Sequence, residues 1–113
     1  MTGEALPGVQ HNFAQSRFDI YDHGTRAGFL QYEMTDGRMC FILTELAPAY
    51  RNRDFAASFL GGILDDMHHR RLAVLPYCPM VRAFMATRPE YFALVPADQR
   101  QRFGFIDGAA SLS

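Results

Sequence analysis

The sequence contains no lysine, no tryptophan and only two cysteines. All eleven basic residues are arginine, so no side-chain amine is present to form a Schiff base or to be modified. Cys40 and Cys78 lie far apart and in different contexts. Two thiols are too few for a disulfide framework or a zinc site, and reduced thiols in a reducing compartment are the simplest expectation. No apolar run approaches the roughly 18 to 20 residues of a membrane span. Met1 to Gly8 has neither a basic start nor a hydrophobic stretch, so no signal peptide is expected and the expected location is cytoplasmic. The net charge of −1 supplies no basic field for nucleic acid, and no basic–aromatic face stands out. A nucleic-acid or membrane partner is therefore not expected.

What is present is apolar. About half of the 113 residues are hydrophobic and ten are phenylalanine, enough for one domain with a real core. Residues 1–16, with Gly3, Pro7 and Gly8, read as a flexible leader. Residues 17–105 read as the domain, and residues 106–113 as a small, polar, flexible tail. Arg17 to Asp22 alternates apolar and polar residues as a half-buried strand does. A turn signal at Asp22 to Thr25 leads to a second strand, Ala27 to Met34. Asp36-Gly37 is a strong hairpin signal, and Arg38 to Ala47 reads as a third, longer strand. The three form an antiparallel meander.

The period then changes. Ala56, Phe59, Leu60, Ile63, Leu64 and Met67 follow one stripe of a helix, with Asp54 at its start and His68, His69, Arg70 and Arg71 at its end. Gly61 and Gly62 weaken that helix by roughly 1 kcal/mol each and would permit close packing on the sheet. Leu72 to Pro76 reads as a short buried strand, so a strand–helix–strand crossover onto a parallel neighbour is expected. Cys78-Pro79 opens a second helix with Val81, Phe84 and Met85 on one face, ending at Arg88-Pro89. Tyr91 to Val95 reads as a last strand. The fold class is α/β (α+β), a mixed sheet with a C-terminal helix.

The loop Ala47 to Ala56 carries the first functional signal. A helix that starts after a strand offers unpaired N–H groups and a positive dipole end, a natural phosphate site, and Arg51 and Arg53 add fixed charge. The same residues also fit a solvated loop whose Asp54 caps its own helix. Leu46, Ala47, Tyr50, Arg51, Asn52, Arg53, Asp54, Phe55 and Ala56 resemble the phosphate-loop signature of the GNAT family of N-acetyltransferases. So does the ordered set Thr44-Glu45, Val74-Leu75-Pro76, Cys78-Pro79 and Arg88-Pro89-Glu90-Tyr91, which is similar to the small stand-alone YjdJ-like subfamily. The resemblance covers roughly residues 17–95. It implies a GNAT-like fold, acetyl-CoA as cofactor and an amine as acceptor, with the nine loop residues and Cys78 against the cofactor. The family usually has glycine where this chain has Asn52 and Asp54. Glycine lets the backbone approach a pyrophosphate closely, and Asp54 adds a Cβ and a negative charge.

For the chemistry, Glu45 near the end of the third strand is the candidate base, and a carboxylate in an apolar cleft would have a raised pKa. The alternative is a surface or salt-bridged glutamate. Cys78 at a helix start would be an activated thiol, as acid, contact or nucleophile. It fits a small buried residue equally. Tyr50 and Tyr91 own hydroxyls that could protonate a thiolate; Phe84 does not. His68 and His69 point about 100° apart and do not chelate together; pairing with Asp65 is expected instead. Two functional readings follow: acetyl transfer to an amine, or a non-catalytic module of the same fold that binds CoA weakly or works through a protein partner. The acceptor and the oligomeric state are not legible.

Overall fold

A computed structural model describes residues 8–105. Five strands form one sheet in the order β1 (Val9–Asn12), β2 (Arg17–Asp22), β3 (Thr25–Thr35), β4 (Arg38–Leu46) and β5 (Ala73–Pro76). The first four are antiparallel neighbours, and β5 lies parallel to β4. The meander closes through two two-residue turns. Asp36 and Gly37 both have positive φ, 54° and 74°, and so do His23 and Gly24, 49° and 84°. Left-handed pairs of this kind match the twist of the strands they join.

The segment read as a leader departs from expectation. Val9 to Asn12 pairs with Ile20 to Arg17 and forms the sheet edge. Residues 1–7 and the tail 106–113 lie outside the described residues.

Alternation sets the core. Phe18, Ile20, Leu30, Tyr32, Met39 and Phe41 are buried and join one cluster with helix α1 (Arg53–Arg70). The six buried residues of α1 are the six of the sequence stripe. Each large side chain removed from water contributes roughly 1.5–3 kcal/mol. Asp19 is buried as well; Arg17 at 2.9 Å and Arg26 at 2.8 Å hold it charged.

Asn52 caps α1: its side-chain oxygen accepts from the Phe55 N–H at 2.7 Å. Asp54 was the expected cap, but it sits one residue inside the helix, exposed in the first turn. At the other end Arg71 takes the left-handed conformation (φ 58°), a position where glycine is usual. Gly61 packs toward the C-terminal segments rather than the sheet. A Cβ there would lie 3.9 Å from both Phe84 and the Tyr91 hydroxyl, an ordinary contact.

Helix α2 (Pro79–Ala86) follows β5, with Cys78 at its N-cap position and Pro79 at its first turn. The expected strand at Tyr91 to Val95 is a 3-10 helix, Pro89–Leu94. Tyr91 and Leu94 are buried three residues apart, one turn of such a helix. A short apolar run does not separate that spacing from a strand. Phe92 then stacks on Phe105 with ring centres 4.8 Å apart, which folds the segment up to Phe105 back onto the domain.

Candidate functional site

The site begins where two strands part. β5 follows β4 only from Arg38↔Ala73 to Phe41↔Pro76. Pro76 has no N–H to continue the ladder. The Cys78 N–H then takes the Phe41 carbonyl at 2.8 Å, and the chain turns away into α2. Among the described residues, β4 runs on to Leu46 against β3 alone, with Ile42 as an extra residue opposite the Gln31–Tyr32 step. Its last residues therefore face a cleft rather than a strand.

The cleft has a volume of about 910 Å³, between the end of β4, the start of α1 and one side of α2. That is the size of a pocket for a large organic ligand. Of the residues expected from the sequence, Glu45, Leu46, Arg51, Asn52, Arg53, Asp54 and Ala56 line it. Ala47, Tyr50, Phe55 and Cys78 do not. The Ala47 N–H is bonded to the Ala27 carbonyl at 2.8 Å. Tyr50 packs on Phe55, ring centres 4.9 Å apart.

At the helix start, the Ala56 N–H bonds the Asn52 carbonyl and the Phe55 N–H bonds its side chain. The N–H groups of Arg53 and Asp54 have no partner among the described residues, and the positive end of the α1 dipole lies with them. The Asp54 carboxylate takes neither of them, contrary to what its position in the sequence allows. Arg51 Nε donates to the Leu46 carbonyl at 2.8 Å, which braces the end of β4 and fixes the guanidinium at the cleft. Arg88 enters from beyond α2, over the Phe84 ring at 5.0 Å. Three arginines thus face two carboxylates, Glu45 and Asp54.

Glu45 is exposed, as in the surface alternative of its two readings, and is not set in an apolar cleft. Cys78 is buried behind the wall: its sulfur lies 3.1 Å from the Thr44 hydroxyl, and Thr44 lines the cleft. The thiol makes no cap bond to α2. The Tyr91 hydroxyl is engaged elsewhere, donating to Asp65 at 2.8 Å. His69 Nδ1–H donates to the Asp65 backbone carbonyl at 3.1 Å, rather than to its carboxylate.

Sequence reasoning missed the α2 wall: Met80, Ala83, Thr87 and Arg88, and Ala57 from α1. Met80, Ala83, Phe84 and Thr87 fall at i, i+3, i+4 and i+7, a second stripe beside the buried Val81 and Met85. That stripe was the available signal.

Burial, then the hydrogen bond and charge of Asp65, push the Tyr91 phenol up to about 12. A folded-state value above the unfolded one, about 10, means that the stabilisation is complete below about pH 10. It is lost as pH rises through about 12. Urea melts across this range should lose roughly 2 kcal/mol. Tyr91→Phe should remove most of that alkaline decline; an unchanged decline would mean that Tyr91 is not its source.

The model of the GCN5-related N-acetyl-transferase family matches residues 17–95. No curated protein matches the chain closely enough to supply a named relative.

Proposed function

Because this chain belongs to the GCN5-related N-acetyltransferase family, we propose that it transfers an acetyl group from acetyl-CoA to an amine, and that the cleft beside β4 is where it does so. The observation that carries this reading is the parting of β4 from β5 directly beside the start of α1. An unpaired strand edge can accept an amide-bearing chain as a further strand would. The two N–H groups at Arg53 and Asp54, with Arg51 and Arg53, suit a pyrophosphate at its end. The ordered motifs from Thr44-Glu45 to Glu90-Tyr91 further favour the small stand-alone, YjdJ-like subfamily. Two buried free thiols suit a cytoplasmic setting.

Acetyl-CoA supplies an activated thioester. Forming the new C–N bond and breaking the C–S bond leaves one proton to remove from the amine and one to deliver to the thiolate. Glu45, exposed at the cleft, would take the first directly or through water. The Thr44 hydroxyl and the Cys78 thiol behind it form a hydrogen-bonded pair reaching the cleft wall, and can pass the second. Tyr91 is tied to Asp65 and Phe84 has no hydroxyl, so neither serves.

A second reading, a domain of this fold that binds CoA weakly, draws on Asn52 and Asp54. The Asn52 side chain uses one N–H of the helix start, and Asp54 brings a negative charge to the cleft.

Calorimetric titration with acetyl-CoA and with CoA tests both. Micromolar binding is expected; a folded protein that binds neither at millimolar concentration would remove the enzyme reading. In the same assay Arg51→Ala should weaken acetyl-CoA about tenfold, the loss of one charge-assisted contact. Unchanged affinity would take Arg51 out of the site. Asp54→Gly should tighten binding roughly threefold by removing a like charge. Weaker binding would make Asp54 part of the recognition.

A further inference from the structure

At the opposite end of α1, about 26 Å away along its axis, lies a second depression of about 920 Å³. Among the described residues its lining holds three arginines, Arg38, Arg71 and Arg100, beside His68 and His69, and no carboxylate. In a chain of net charge −1 this is a local concentration of one sign.

The helix dipole accounts for part of it. His68, His69 and Arg71 sit at the negative end of α1, where cations are favoured. It does not account for Arg38, which comes from the first residue of β4, or for Arg100, which comes from the segment after the 3-10 helices. Three separate parts of the chain thus bring guanidinium groups to one place. The nearby acids are used elsewhere: Asp66 pairs with Arg70 at 3.0 Å, and Asp65 accepts from Tyr91. No carboxylate of the described residues lies within ion-pair distance of Arg38, Arg71 or Arg100. Arg100 is held in place, because its Nε donates to the Val95 carbonyl at 2.8 Å. Like charges brought together without acids repel, and an anion between them relieves that repulsion.

The rest of the depression narrows the choice of anion. Leu72, Ala93 and Pro96 make an accessible apolar wall beside the arginines, over the buried Leu94 and Val95. Planar guanidinium forks match phosphate oxygens two at a time. We infer that this depression binds an organic phosphate, its phosphates on Arg38, Arg71 and Arg100 and its apolar part against Leu72, Ala93 and Pro96, at a site separate from the cleft.

Magnesium-free ATP and inorganic pyrophosphate are the probes, titrated into the full chain by calorimetry at one fixed ionic strength. ATP is expected to bind saturably and more tightly than pyrophosphate. Arg38→Gln should weaken ATP about tenfold. Arg71→Gly should do the same while keeping the fold, since glycine suits the left-handed backbone at that position. Arg82→Gln, an arginine in the lining of neither depression, should leave ATP affinity unchanged. Four results would overturn the inference: no saturation at millimolar ATP, wild-type affinity in Arg71→Gly, an equal loss in Arg82→Gln, or pyrophosphate binding as tightly as ATP. A glutamate-rich peptide that outcompetes ATP would reassign the depression to an acidic protein segment.

Discussion

Replacing Gly28 with alanine is expected to destabilise the protein by about 3 kcal/mol, near the upper end of the usual range for overpacking. Gly28 lies inside the sheet, paired with Ile20 on one side and Leu46 on the other. A Cβ at this position would fall 1.9 Å from the Glu45 carbonyl oxygen and 2.9 Å from the Leu46 Cα. Both atoms are backbone, so no side-chain rotation relieves the contact and β3 must move away from β4. For a domain of this size the loss corresponds to a fall in Tm of about 12 °C or more. The atoms displaced belong to the strand end at the cleft, so acetyl-CoA affinity should fall with stability. A Gly28→Ala protein that melts within about 2 °C of the parent would mean that β3 and β4 do not approach at this point as described.

Gly28 also shows what the sequence makes legible. Ala27 to Met34 reads as a strand because it follows a turn signal and is rich in aromatic residues, and it lies within a strand. A glycine inside such a run is a sign of close backbone approach, yet which backbone comes close depends on register, and register with β4 is a non-local fact. The same division runs through the chain. Residues 17–46 are legible because each turn is two residues long and carries its own left-handed signal. The buried face of α1 is legible because its stripe is local. The edge strand at Val9 is not: its four residues gain definition only by pairing with β2, and the glycines and proline before it read as a loose end. The segment at Tyr91 misleads because a 3-10 turn and a short strand bury apolar residues at nearly the same density.

The site divides likewise. Arg51, Asn52, Arg53, Asp54 and Ala56 are consecutive enough to read as one loop, and they meet at one cleft. Cys78 is legible as the residue before a helix, but its depth is not. The thiol lies behind Thr44, so any chemistry it performs passes through a hydroxyl 34 residues earlier in the chain. The opposite wall is hardest to read, since α2 has two stripes and the sequence alone does not say which faces the core.

That wall offers the most decisive test of the cleft. Ala83 lies on α2, exposed on its outer side and lining the cleft. Ala83→Trp should reduce acetyl-CoA affinity by more than about a hundredfold, because the indole would fill space that the ligand must occupy. The cost to stability should be small, roughly 0.5 kcal/mol, as expected for an exposed helical position where alanine is the better helix former. The contrast with Gly28→Ala is the useful part. There stability and affinity fall together through a displaced strand; here affinity alone should collapse while the melting curve stays close to that of the parent. Arg51→Ala removes one contact and leaves the cleft open, so its effect should be an order of magnitude smaller. If Ala83→Trp binds acetyl-CoA as the parent does, the cofactor does not enter between α1 and α2. The free edge of β4 would then need a different ligand, and the family's chemistry would have to be sought elsewhere on the sheet.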